Sequence, residues 1–405
     1  MSRPGLFDAF GVEIELMIVD VETLDVRPMC DELFRAASGE GVSDVSPDGV
    51  IAWSNELALH VVELKTDGPA ASLEGLADHF QRHVRQIDAL LEPLGCRLLG
   101  GGAHPWMDAH REVRLWPHEN NEIYRAYDRI FDCRGHGWGN LQSTHLNLPF
   151  NGDDEFGRLY AAIRLVLPLL PALAATTPFL DGRLQPLADA RLEVYRTNAD
   201  RVPLMAGLVV PEPTWTEADF EAQVLTPLYE QLRPLDPEGL LAHPYANSRG
   251  GMARFDRGTV EIRLLDAQEC PAADLAIVEL VTAAVRALVE ERWSPLAQQQ
   301  AIATEPLHAV LVDAIQEAEH TIVRDRSLLE AFGFASGRVR AGDVWSKLAA
   351  DLLPDHALLR TLIDAGTLST RLRRRLRTAP DASMLRPMYA ELAGCLRSGR
   401  PFDVG

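Results

Sequence analysis

The sequence predicts an α+β protein in which an antiparallel or mixed sheet carries helices against one side and is followed by an all-helical last third. Strand-like runs recur at 9–19, 49–65, 97–101, 139–149 and 257–265, the second of them two strands or one with a bend. Apolar residues at helical spacing fill 71–93 (Leu73, Leu76, Phe80, Val84, Ile87, Leu90, Leu91) and 158–174. The order is not strict strand-helix alternation, which argues against a parallel sheet. After about residue 271 the strand signal stops, and helices are predicted at 272–293, 305–320, 343–352, 356–376 and 383–398. We divide the chain into a catalytic region, 1–290, and a helical region, 291–405, packed on the same sheet rather than standing as an independent module.

Composition narrows the function. With 39 basic against 59 acidic residues the formal charge is -20, which opposes nonspecific binding to nucleic acid or anionic membranes. Small-molecule substrates are expected instead, and the oligomeric state is left open, a homodimer included. The five cysteines form no Cys-x-x-Cys pair, so neither a disulfide framework nor a zinc knuckle is expected. The longest apolar stretch, "LYAAIRLVLPLLPALAATTPF", holds Arg164 and three prolines, so it reads as a buried helix and its exit. No signal-peptide core precedes "FDAFGVEIELMIVD", and a cytoplasmic location is expected. The run "RLRRRLR" at 371–377 reads as a solvated helix surface, with a phosphate or subunit contact as the alternative.

The chemistry lies in acids embedded in apolar strands. In "GVEIEL" the period of two puts Glu13 and Glu15 on one face and Val12, Ile14 and Leu16 on the other. Taken alone, such a pair reads first as a solvated face. Glu56 and Glu63, seven apart, would point to opposite faces of one unbroken strand, but a turn or bulge near Ala58 to His60 lets both face one site. In "STHLNLP" Ser143, His145, Asn147 and Pro149 share a face, and in "RFDRGTVEIRLLD" Glu261 and Arg263 do, opposite Val260, Ile262 and Leu264. Five carboxylates converging with no compensating lysine require metal ions among them. Oxygen ligands with one imidazole suit Mg²⁺ or Mn²⁺, ions that usually serve nucleotide phosphates. Arg263, with Arg254 nearby, would then meet the charge of a transferring phosphoryl group.

The segments "GVEIEL" (11–16), "ELALHVVELKT" (56–66), "GGAHPWMD" (101–108), "STHLNLPF" (143–150), "ATTPFLDG" (175–182) and "MARFDRGTVEIRLLD" (252–266) together resemble the glutamate-cysteine ligases and related carboxylate-amine ligases. The resemblance implies a glutamine-synthetase-like, mostly antiparallel sheet with flanking helices, and ATP with Mg²⁺ or Mn²⁺ as cofactors. It implies Glu13, Glu15, Glu56, Glu63, His145 and Glu261 as metal ligands, Arg263, His145 and Asn147 at the nucleotide, and Arg263, Glu63 and Arg254 as catalytic groups. The implied reaction forms an amide through an acyl phosphate, most simply γ-glutamylcysteine on the way to glutathione. Many members carry His-Val-His where this chain has His145-Leu146-Asn147, which resembles the branch that makes γ-glutamylcysteine in many bacteria. A ligase for a different carboxylate and amine, or a non-catalytic nucleotide- or amino-acid-binding regulator, are the alternatives.

A glutamate substrate needs cations, and "ARLEVYRTNADRVP" offers Arg191, Arg196 and Arg201 with Tyr195 and Asn198; the spacing does not align the arginines on one helix face. Trp53 and Trp138 are candidate pocket walls or core residues. His104, before Pro105, either shapes a nucleotide-side loop or caps a strand.

Overall fold

The computed structural model describes residues 3–403 apart from 40, 43, 336 and 377–381, with the side chain of residue 382 also outside the description. Seven strands form its main sheet: β1 (Gly11–Asp20), β2 (Ile51–Asn55), β3 (Val61–Thr66), β4 (Cys96–Leu99), β5 (Ser143–Pro149), β6 (Gly251–Arg254) and β7 (Thr259–Asp266). The order is β2-β3-β1-β5-β7-β6, with β4 pairing along the second half of β1, and every pairing is antiparallel. The expected α+β class and antiparallel sheet are therefore observed.

Alternation decides the two faces. Val12, Ile14, Leu16 and Ile18 of β1, Val62 and Leu64 of β3, Leu146 and Leu148 of β5, and Val260, Ile262 and Leu264 of β7 are buried in one apolar cluster. That face is covered by the helices Leu76–Leu91, Asp153–Val166 and Pro271–Val289, whose Phe80, Val84, Ile87, Leu159, Ile163, Val281 and Val285 belong to the same cluster. The cluster continues through Leu307, Leu311, Trp345 and Leu359, and Trp345 donates its indole N–H to the Leu169 carbonyl at 2.7 Å.

The opposite face of β1 changes character along its length. Glu13 and Glu15 head the polar site, whereas Met17 and Val19, on the same side, are buried with Leu99, Phe179 and Leu385, Met388 and Leu392 of the helix Ala382–Ser398. The last helix thus seals the end of the face that the site leaves free.

The 49–65 run takes the first of its two expected forms, two strands joined by a turn. Other expectations are corrected. The single helix expected at 356–376 is two, Ala357–Ala365 and Leu368–Arg375. The break is at Gly366, whose φ of 87° no helical residue adopts. The 71–93 helix begins only at Leu76, after Gly75 at φ 79°. The 158–174 segment is a helix starting at Asp153 that passes into short turns at Pro168 and Pro171, and the 272–293 helix ends at Val289. Beyond residue 271 a two-residue strand pair, Ile322–Val323 with Val339–Arg340, interrupts the helices. Strand β6 was not foreseen, because "GMAR" opens on the second of two glycines and is too short to show a period. In the arginine run, Arg371 is buried, donating to Glu269 at 2.5 Å, and Arg373 donates to the Gln185 carbonyl at 2.9 Å. Arg374 and Arg375 are exposed, and Arg377 lies outside the described residues. No helix among the described residues is long and apolar enough to cross a membrane.

Candidate active site

Sheet register assembles the acids. Glu15 lies directly opposite Glu63, Glu63 opposite Ser54, Glu13 opposite both Lys65 and His145, and Asn147 opposite Glu261. Same-face residues on adjacent strands stand about 5 Å apart at Cβ, so four strands present one continuous acidic surface. Gly11 sits across from Asn147, and a Cβ there would fall 2.9 Å from that of Asn147, so the strand pair closes this tightly only with glycine. A register shift between Thr144 and Leu146 places an extra residue in β7, which lets Glu261 and Arg263 share the site face while Asp266 still pairs with Ser143. The turn after β2 brings Glu56 round to the same surface, as the 56/63 spacing demanded.

These side chains form two triads, Glu13 with Glu63 and His145, and Glu15 with Glu56 and Glu63, each offering ligand atoms within 4.8 Å of one another. Glu63 belongs to both. Glu261 stands beside them, its Oε1 3.8 Å from His145 Nδ1 and accepting from Arg263 Nε at 2.8 Å. A chain of hydrogen bonds runs through the first triad: His145 reaches Glu13 Oε2 at 2.9 Å and Ser143 Oγ at 2.8 Å, and Ser143 donates to Glu15 Oε2 through its amide at 2.6 Å and its hydroxyl at 3.0 Å. Asn147 donates to Glu13 at 3.1 Å.

Electrostatics follows from burial and crowding. Desolvation, then the Glu63 and Glu15 charges, pushes the Glu56 carboxyl well above its usual range. Burial raises Glu15 and Glu63 as well. Burial opposes the charged form of His145, but the hydrogen bond it donates to Glu13 and the charges of Glu15 and Glu261 outweigh it and lift the imidazole to about 9. Burial likewise works to raise Glu261, yet Arg263 and His145 hold it below the usual carboxylate range. Protons thus balance a carboxylate cluster that hard divalent ions could balance instead: the donors are oxygens with one imidazole, the set that suits Mg²⁺ or Mn²⁺. The acids and Arg263 line a cavity of about 1040 Å³, large enough for a nucleotide and a small substrate.

Comparison with known proteins places this geometry. Residues 9–379 match the family model described as glutamate-cysteine ligase family 2. The chain belongs to that family. A protein of uncharacterized activity from Archaeoglobus fulgidus is 34% identical over 281 residues, covering 69% of this chain and 75% of that one. A Leptothrix cholodnii protein provisionally named glutamate-cysteine ligase 2 is 25% identical over 366 residues, covering 85% and 87%. The crystal structure of a Francisella tularensis glutamate-cysteine ligase in complex with AMP covers 100% of this chain and 91% of its own, with a TM-score of 0.59 and 11% identity, which establishes a shared fold.

Within this family 2 chain the other singled-out residues separate by place. Arg254 lines the cavity and is held by Asp256 through two bonds of 3.1 and 2.9 Å. Of the three candidate substrate arginines, Arg191 alone lines the cavity, and its guanidinium is committed to Asp266 and to the Arg263 carbonyl, both at 3.0 Å. Arg196 pairs with Glu193, and Arg201 donates to the Ile130 carbonyl. Tyr195, Asn198 and Trp138 line the cavity, whereas Trp53 is fully buried on the helix-covered face, opposite Leu64, with its indole N–H on His83. His104 is buried, its Nε2 on the Leu24 carbonyl and its Nδ1 accepting from the Met107 amide, so it braces a loop. Sequence reasoning missed Tyr124 and Tyr127, which line the cavity from the helix Asn121–Phe131, and Lys65. The expectation that no lysine compensates the acids is overturned: Lys65 stands 3.3 Å from Glu63, and the same period of two that pairs Glu13 with Glu15 could have found it.

Proposed function

We propose that the protein is an ATP-dependent carboxylate-amine ligase that joins the γ-carboxylate of glutamate to the amine of cysteine. The single observation that carries this is the pair of ligand triads sharing Glu63, with Arg263 at their edge, inside one cavity. The substrate carboxylate oxygen attacks the γ-phosphorus of ATP, releasing ADP and leaving an acyl phosphate. The amine nitrogen then attacks the acyl carbon, phosphate departs, and the amine gives up a proton to leave the amide. Glu13, Glu15, Glu56, Glu63 and His145, with Glu261 beside them, would hold Mg²⁺ or Mn²⁺, which supplies charge neutralisation at the phosphates. Arg263, anchored through Glu261, presents its remaining guanidinium N–H groups to the transferring phosphoryl group, where charge develops. Arg254 contributes a second positive charge from β6. Asn147 and His145 orient Glu13. The helical region 291–405 supports this sheet as part of the same unit, and the reaction is that of a cytoplasmic enzyme.

The test is incubation with ATP, Mg²⁺ and pooled amino acids, reading phosphate release and product mass. Release that needs both glutamate and cysteine, with γ-glutamylcysteine formed, is the expected outcome. Release with glutamate but another amine moves the assignment to the altered ligase, and no release with any mixture overturns it in favour of a binding protein. Glu261→Gln should abolish turnover while the fold persists; near-normal activity in that variant would sink the role given to Glu261.

A further inference from the structure

The chain contains 39 Lys and Arg residues, yet only two of them, Lys65 and Lys347, are lysines. One of the two stands in the acid cluster. Lys65 is on the site face of β3, directly opposite Glu13, with its Nζ donating to Ser54 Oγ at 2.7 Å and facing Glu63 Oε1 at 3.3 Å and Asp44 Oδ2 at 3.4 Å. Ser54 in turn donates to the same Glu63 oxygen at 2.7 Å. An ammonium therefore bears, directly and through one hydroxyl, on the carboxylate that both triads share.

We propose that Lys65 is a built-in counter-ion of the cluster, a positioning residue that fixes Glu63 and weakens the cluster's hold on divalent ions. The inference rests on the metal reading given above. The same cavity is lined by the carboxylates of Glu13, Glu15, Glu56, Glu63, Glu261 and Asp44, and by His145, Arg191, Arg254, Arg257 and Arg263 as the other basic side chains. A fixed charge at this spot limits how tightly ions are drawn in, and ions that travel with nucleotide must also leave with it. The choice of residue is chemical. Ammonium is a compact point charge, whereas guanidinium, which this chain uses almost everywhere else, would engage a carboxylate through two parallel bonds and occupy both oxygens.

Mn²⁺ binding to the full chain, without nucleotide, provides the test, read by electron paramagnetic resonance or calorimetry at pH 8. Lys65→Met should bind Mn²⁺ about tenfold more tightly than the parent, the size expected for one unit charge a few ångströms from a divalent ion under near-aqueous screening. Lys65→Arg keeps the charge and should bind no more tightly than the parent. Without metal, Lys65→Met should melt lower than the parent and recover on Mn²⁺ addition, because the acids then repel without relief; if it does not fold, Lys65→Gln is read in its place. Unchanged or weaker Mn²⁺ binding in Lys65→Met overturns the proposal, as does a tightening shared by Lys65→Arg. Loss of ATP affinity with metal affinity unchanged also overturns it and makes Lys65 a phosphate contact. No Mn²⁺ binding by the parent defeats the metal reading itself, and with it this inference.

Discussion

The two faces of a single strand, β3, obey different physics. Leu64 is wholly buried among apolar side chains that would accept another residue of similar volume, whereas Glu63, its neighbour, answers to charges on three strands and a turn. On the helix-covered face, energy comes from excluded water and filled volume, so identity is loosely specified and size is strict. On the site face, burial raises the carboxyls of Glu15, Glu56 and Glu63, a cost the fold carries at the place where the proposed function would use those carboxylates together. One face makes the sheet, and the other spends part of the stability so gained.

The sharpest way to break this contrast is a pair of substitutions one residue apart. Leu64→Ala should cost about 2–5 kcal/mol of unfolding free energy while turnover per folded molecule is retained at low temperature. Glu63→Gln, nearly the same in shape, should lower kcat about a hundredfold or more, by analogy with removing a preorganised electrostatic group, and should leave the melting temperature of metal-free protein unchanged or higher. Chemical denaturation alongside a phosphate-release assay measures both. If folded Leu64→Ala protein lost turnover to the same degree, the faces would not be separable in the way described.

How much of this was legible depends on whether the cause was local. The alternation in "GVEIEL", "STHLNLP" and "GTVEIRL" set the polar and apolar faces correctly, because a period of two within a strand needs no knowledge of its neighbours. The meeting of Glu56 with Glu63 was conditional on a turn, and the turn is there. What stayed hidden was set by distant partners. Trp53 reaches the core because β2 pairs with Leu64 in one register rather than the next. Arg371 is buried because Glu269, 102 residues away, lies beneath it. The bulge in β7 shows only once β5 is alongside. Lys65 was a different omission, visible at two residues from Glu63 and passed over.

A smaller effect sharpens the electrostatic half of the comparison. Glu15, Glu56 and Glu63 have folded-state values raised above the ordinary 4.5, so the stability they contribute is intact below that pH and is lost as pH rises through their folded values. Divalent ions bind the deprotonated cluster and must also displace the proton that His145 holds up to about 9. Mg²⁺ should therefore raise the melting temperature more at pH 8 than at pH 6, the stabilisation at pH 8 approaching about 3 kcal/mol at a hundredfold excess over the dissociation constant. Differential scanning fluorimetry with and without Mg²⁺ measures it. Equal shifts at the two pH values would mean that the acids are not the ion's ligands.

The smallest expected effect separates two arginines five residues apart. Arg191 holds the Arg263 carbonyl and the buried Asp266, with both side chains almost fully shielded, so it belongs to the frame of the site. Arg196 pairs with Glu193 one turn back on the same helix, and each side chain is 31% exposed, where ion pairs are worth little. Arg196→Ala should therefore change unfolding free energy by less than about 1 kcal/mol and leave the KM for the carboxylate substrate unaltered. Steady-state kinetics with the carboxylate varied is the check. A severalfold rise in that KM with kcat unchanged would identify Arg196 as a substrate contact that swings in from the surface, and would move the edge of the site outward past the residues that line the cavity.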